Sequence, residues 1–303
     1  MATAEQLTDR ITYHGEGAIW FPAETDAGAG AAERGGRLHL VDMFAGAVLT
    51  LLDGGAVDRV QVGRVAAVLR PRQAGGAIVA DEHGFQVADA DRSTPSGFSA
   101  FRRFASAIDD PAIRFNEGNA DPTGAFWCGS MAWKKTPGAG TLYRLGPDAG
   151  ITAVLTDVTI SNGLGFTADG ASAYYVDTPT HRVDVLSFDA ERGLHDRRPF
   201  VRIDPDHGNP DGLTVDAEGG VWVALYGGGA VHRYAQDGSL SHVVEIPGGV
   251  RQVTSVTLGG AGMDQLFITT SREDLPNDQQ PTAGAVFTAP AGVRGLPPLP
   301  FAG

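Results

Sequence analysis

The 303-residue sequence predicts an all-β fold, a six-bladed β-propeller, and three observations carry that reading. A short apolar strand bounded by Gly- and Asp-rich turns recurs six times. The copies stand roughly 40 to 50 residues apart, the length that four antiparallel strands and their turns occupy in one blade. Long stretches with helical apolar spacing are scarce, which argues against repeated strand-helix-strand units.

In order, the copies are 36–42 (GRLHLVD), 76–81 (GAIVAD), 124–129 (GAFWCG), 173–177 (AYYVD), 220–225 (GVWVAL) and 265–270 (QLFITT). Stretches rich in β-branched or aromatic residues follow at 140–145 and 230–234, so each pair reads as a hairpin. Asp169-Gly170 and Asp237-Gly238 supply turns that need positive φ. Segment 13–20 precedes the first copy, and 283–288 is expected to supply a strand that closes the ring. A β-sandwich or barrel also has short strands and many turns. Against it, the period is too long for an alternation of single strands, and the copies run unbroken from near residue 36 to near residue 270. One domain is therefore expected over 1–303.

Composition bounds the function. With 42 Gly, 18 Pro and 42% apolar residues, the chain is rich in turns yet has ample material for a core. A formal net charge of −13 argues against nucleic acid, which needs clustered Lys and Arg to neutralise phosphate. Cys128 is the single cysteine, so no intrachain disulfide forms and the reducing cytoplasm is the expected compartment. The first residues lack the basic and apolar segments of a signal peptide. No apolar run approaches the roughly 18 residues of a membrane span. A soluble, cytoplasmic protein with neither nucleic-acid nor membrane partner is expected; oligomeric state leaves no mark.

A propeller gathers one loop from each blade around its channel mouth, so polar residues far apart in sequence can converge there. Four Gly-rich polar segments are candidates: His14-Gly15-Glu16-Gly17, Arg114 to Asn119, Ser161-Asn162-Gly163 and Asn209-Pro210-Asp211-Gly212. Glycines on both sides of Glu16 permit a close backbone approach. Carboxylate and amide oxygens suit hard divalent cations. Taken singly, each segment has an ordinary reading: Asn-Gly and Pro-Asp-Gly are turn formers, and an isolated Glu is usually solvated.

Taken together, the segments resemble the family of gluconolactonase, regucalcin (senescence marker protein) and luciferin-regenerating enzyme. Gly15-Glu16-Gly17-Ala18-Ile19-Trp20 is similar to that family's Gly-Glu-Gly-Pro-x-Trp. Residues 114–131 (RFNEGNADPTGAFWCGSM) resemble its Arg-x-Asn-Asp-Gly followed by Asp-x-x-Gly-Arg-x-Trp-x-Gly-Thr-Met. Ser161-Asn162-Gly163, Pro210-Asp211-Gly212 and Phe267 to Arg272 match in the same order, so the similarity covers nearly the whole chain. The resemblance implies a six-bladed propeller with one divalent metal ion (Ca, Zn, Mg, Mn or Fe) held by Glu16, Asn162 and Asp211. It also implies a small-molecule sugar lactone as substrate, contacted by Arg114 and Asn116. Asp211 is the expected general base as well as a ligand.

Two departures bear on specificity. Glu117 stands where the family usually has Asp. Lys134 falls where regucalcin-like members place a substrate-contacting acid; its charge either favours an anionic group on the substrate or is that of a solvated loop lysine, the plainer reading. Cys128 is expected to be a small buried apolar group, and His14 to be structural. The alternatives to a sugar lactonase are a non-catalytic calcium-binding propeller and a related propeller hydrolase acting on non-sugar lactones or esters.

Overall fold

The structure, a computed structural model, describes residues 2–22, 36–276 and 279–303. Its strands form six sheets, each with four antiparallel neighbouring strands, and one sheet carries a fifth, parallel strand. The innermost strands are Gly15–Phe21, Ala66–Pro71, Ile113–Ala120, Ser161–Phe166, Asn209–Val215 and Val253–Gly259. Each packs against the next, and the sixth returns to the first, which closes a six-bladed propeller. Among the described residues, no helix is long and apolar enough to cross a membrane.

The six sequence copies are the second strands of the blades, and packing explains their composition. A second strand lies between two neighbouring blades, so both of its faces are buried. In Arg37–Asp42, Leu38 and Leu40 pack with Phe267 and Val286 of blade six, while Val41 packs with Val79 and Phe98 of blade two. In Val221–Tyr226, Trp222 and Ala224 turn toward blade six and Val221, Val223 and Leu225 toward blade four. The apolar core is correspondingly a ring of six clusters, one at each blade interface. That arrangement leaves the innermost strands free to carry polar residues into the channel.

Ring closure differs from the sequence expectation. Val286–Pro290 is the third strand of blade six, and the fourth is Glu5–Gln6, pairing Glu5 with Thr288 and Gln6 with Phe287. Ala2–Thr3 adds a parallel strand to the outer edge of blade five. The physical reason lies just beyond Pro290. Gly292 has φ +72°, and Pro297, Pro298 and Pro300 cannot donate to a ladder, so the chain leaves the sheet there. It then crosses the end of the channel where the innermost strands finish. Gly295 bridges to Asp216, Phe301 bridges to Arg72, and Ala302 N donates to Gly124 O.

All six innermost strands share one irregularity. Their pairing with the second strand is interrupted near the start, between Glu16 and Ile19, Ala66 and Val68, Phe115 and Glu117, Ser161 and Leu164, Pro210 and Leu213, and Val253 and Val256. A bulge bends the strand and re-aims the side chain it carries. Asn116, Asn162 and Asp211 fall inside these interruptions, and Glu16 sits at the edge of one.

Candidate functional site

The candidate residues converge at the mouth, where the innermost strands begin. Two carboxylates prepare the approach. Asp42, ending the second strand of blade one, accepts from Tyr13 N and His14 N, both at 3.1 Å, and pairs with Arg59 at 3.2 Å. Asp177, in the same place in blade four, accepts from Thr159 N at 3.2 Å and Ile160 N at 2.9 Å. The same device therefore fixes the backbone two residues before Glu16 and two residues before Asn162.

Glu16 is 3% exposed, and its Oε2 accepts from Gly17 N at 3.1 Å. Asn162 Nδ2 donates to Thr178 Oγ1 at 3.1 Å, and that hydroxyl donates to Pro210 O at 2.9 Å, tying Asn162 to the Asp211 strand. Asn162 Oδ1 and Asp211 Oδ1 are buried and have no hydrogen-bond partner. Burial raises the Asp211 pKa well above the carboxylate range and Glu117 adds to the rise, while the Asn162 amide acts against it. Glu16 is likewise raised, by burial first and then by Asp211 and Glu117. Two buried carboxylates thus repel one another beside two acceptor oxygens that lack donors. This donor set fits a hard cation, which would satisfy the orphaned oxygens and offset the repulsion. Among the described residues no set of three or more His, Cys, Asp or Glu forms a metal cage; the candidate set is mixed, two carboxylates and an amide.

Arg114 packs over both Phe44 and Trp133, its guanidinium carbon 5.2 Å and 5.1 Å from the two ring centres, which are themselves in contact at 5.9 Å. Its Nη1 is committed to Asn116 Oδ1 at 2.7 Å, Phe115 O at 3.0 Å and Met43 Sδ at 3.3 Å. Its buried Nε has no partner. Burial lowers its pKa to about 10, against the pull of Glu273, Glu16 and Asp211, so it remains a cation at neutral pH. Asn116 braces it, since its Nδ2 donates to Ser161 O at 2.8 Å.

Lys134 lies exposed on the loop after Ala132, and it is the neighbouring Lys135, with φ +54°, whose charge reaches His14. Glu117 turns to the channel wall, accepting from Gly118 N at 2.9 Å and from buried Arg70 at 3.2 Å. Arg70 Nε in turn donates to Asn119 Oδ1 at 2.9 Å. Cys128 is fully buried, and burial pushes its thiol pKa well up, as its expected apolar role requires.

Other groups line the mouth: His14, expected to be structural, and Glu273 and Tyr226, which were not picked out from the sequence. His14 Nδ1 lies 2.7 Å from Ser271 Oγ, and its Nε2 lies 3.8 Å from Glu16 Oε1. Burial, with Arg114 and Lys135, lowers its pKa to about 3. Glu273 Oε2 is 3.6 Å from His14 Nδ1 and accepts from Tyr226 OH at 3.5 Å. The signal for Glu273 was its place in the last-blade match, one residue beyond Arg272; Tyr226 gave none beyond the three glycines that follow it. A separate cavity of about 490 Å³ lies beside His207, His232 and Arg251. None of its lining side chains carries an unpartnered buried polar atom among the described residues, in contrast with the mouth.

Residues 14–272 match the model of the SMP-30/Gluconolactonase/LRE-like region. Regucalcin of Bos taurus is 35% identical over 201 residues, 63% of this chain and 67% of that protein. The solved luciferin-regenerating enzyme superposes with a TM-score of 0.85 at 25% identity, covering 100% of both chains. A calcium-binding protein, regucalcin, from Agrobacterium tumefaciens strain C58 gives 0.84 at 26% identity over 99% of each. With a family match over residues 14–272, the chain belongs to the SMP-30/gluconolactonase/LRE-like family.

Proposed function

We propose that this chain hydrolyses a sugar-acid lactone with the help of one divalent cation held by Glu16, Asn162 and Asp211. The observation that carries the reading is the pair of buried, donorless oxygens, Asn162 Oδ1 and Asp211 Oδ1, next to the buried Glu16 carboxylate. Leaving such groups unsatisfied costs on the order of 1–3 kcal/mol each. Oxygen donors of this kind suit Ca²⁺, Mg²⁺ or Mn²⁺, and Zn²⁺ or Fe²⁺ also accept them. When bound, the cation supplies Lewis acidity for the lactone carbonyl.

This chain's own residues supply the rest. Asp211 takes the proton of the attacking water, a role that suits a carboxylate whose basicity burial has raised. Arg114, packed over Phe44 and Trp133, offers its free Nε to a substrate oxygen. Asn116 holds that guanidinium in place and has one acceptor lone pair left for a hydroxyl. The family description and its gluconolactonase members support the lactone. A calcium-binding role without catalysis is the second reading, and it draws on the Agrobacterium relative, which is described as calcium-binding.

One experiment separates them. Proton release is followed from gluconolactone, xylonolactone, arabinonolactone and galactonolactone with each of the five cations and with a chelator. Cation-dependent turnover is expected, and Asp211→Ala is expected to lower it by about 10³-fold or more. Unchanged turnover in the variant sinks the role given to Asp211. Tight Ca²⁺ binding with no turnover of any lactone favours the binder.

A further inference from the structure

Opening a lactone requires a proton for the departing ring oxygen, because the alkoxide of a sugar hydroxyl is a poor leaving group. Of the groups assigned so far, only Asp211 could give one, and only after it has taken the proton of the attacking water. Glu16 and Asp211 are ligands, and Arg114 is a cation that keeps its protons.

Tyr226 ends the second strand of the blade that carries Asp211, opposite Asn209 in the ladder. The residue is half-buried, and its hydroxyl donates to Glu273 Oε2 at 3.5 Å, a long bond that a better acceptor readily replaces. Glu273 is itself part of the mouth. Its side chain is 21% exposed, it approaches His14 within 3.6 Å, and its charge reaches both Arg114 and Asp211. Phenol, Glu273, His14 and Glu16 therefore form one chain of contacts at the mouth.

From this juxtaposition we infer that Tyr226 is a catalytic residue whose hydroxyl gives its proton to the departing ring oxygen, with Glu273 as the residue that positions it. The inference rests on the lactonase reading. In the balanced step, the water oxygen bonds to the carbonyl carbon and its proton passes to Asp211. The bond from carbonyl carbon to ring oxygen breaks, and that oxygen keeps the electron pair and takes the Tyr226 proton. The phenolate then regains a proton from protonated Asp211 through solvent, leaving the hydroxy acid and the starting form of the protein. Burial, together with Glu273, Asp211 and Asp274, pushes the phenol pKa up. The group thus stays protonated through the neutral range, the form that can give a proton.

The test is Tyr226→Phe, which removes one oxygen and keeps the ring. Steady-state kinetics are measured on the aldonolactone that the wild-type protein turns over fastest with Ca²⁺, and Ca²⁺ affinity is measured separately by calorimetry. The expected result is a fall in kcat of about 10²-fold or more, with KM and the Ca²⁺ Kd each within about threefold of wild type. A kcat within threefold of wild type overturns the inference, as does a fall in kcat matched by an equal loss of Ca²⁺ affinity, the mark of a structural defect. If the wild-type protein turns over no lactone, the lactonase reading fails instead, so the two failures are told apart.

Discussion

Asn162 uses its amide nitrogen on Thr178 and leaves its oxygen bare, while Asp211 keeps one bare carboxylate oxygen beside it. Asp216, at the other end of the Asp211 strand, is by contrast fully paired, accepting from Glu218 N, Gly220 N, Trp222 Nε1 and Arg233 Nε. The contrast separates residues that hold the fold from residues kept available. The residue types at the mouth were legible in the sequence, since Glu, Asn and Asp beside Gly are oxygen donors on permissive backbone. Which of them would be left without a donor was not, because that depends on contacts such as Asn162 with Thr178, Asn116 with Ser161 and Glu117 with Arg70, each made between different elements. His39 shows the opposite case, a buried imidazole with a structural use. It lies 2.9 Å from Thr50 Oγ1, with Phe21 and Phe98 rings at 4.4 Å and 5.0 Å, and burial lowers its pKa to about 3. The unfolded chain takes up this proton near the ordinary value of 6.5, so below that pH the unfolded state binds more protons than the folded one. Stability is therefore fully present above pH 6.5 and is lost as pH falls toward 3, at about 1.4 kcal/mol per unit from this group. Denaturant titrations of the wild type and His39→Gln should show their stability difference shrinking by about 3 kcal/mol between pH 6.5 and 4. A difference independent of pH would refute the assignment.

Second strands announced themselves because they are apolar on both faces, and each copy found in the sequence is one of them. Innermost strands did not. Ser161–Phe166 reads SNGLGF and Asn209–Val215 reads NPDGLTV, sequences whose Asn-Gly and Pro-Asp-Gly look like turns. In the structure these pairs are bulges within strands, and their glycines serve the ring. A Cβ on Gly163 would meet Leu213 N at 2.6 Å and Asp211 O at 2.8 Å, so the Asn162 and Asp211 strands approach this closely because glycine stands between them. The Asp at the end of a second strand is the other half of the device, holding the backbone that enters the bulge. Asp177→Ala frees Thr159 N and Ile160 N without touching any oxygen of the candidate cation set. Calorimetry should show Ca²⁺ affinity falling about 10-fold to 100-fold, the cost typical of losing an outer support of a metal site. An affinity within twofold of wild type would mean that the bulge holds Asn162 unaided.

At the scale of the whole ring, the two ends of the channel have different tasks. The mouth gathers repelling carboxylates and donorless oxygens, whereas the far end is sealed by the segment after Pro290, which packs Leu296 against blades four and five and buries Phe301 among Phe104, Phe126 and the blade-two residues. The six-blade count followed from the repeat, but neither the crossing of this segment nor closure by Glu5–Gln6 did. Both are set by contacts between the extremes of the chain, about which a local pattern says nothing. Phe301 is fully buried and is fixed at its backbone, where its N donates to Pro71 O and its O accepts from Gln73 N. Its removal leaves a cavity that these anchored neighbours cannot easily fill. Phe301→Ala is expected to cost about 3–5 kcal/mol, seen as a lower midpoint in denaturant unfolding. The mouth lies at the opposite ends of the innermost strands, so Ca²⁺ affinity measured on the folded variant should stay within about twofold of wild type. A loss of affinity in step with stability would show that the seal and the mouth are coupled through the strands, and the division of the ring into a holding end and a working end would fall.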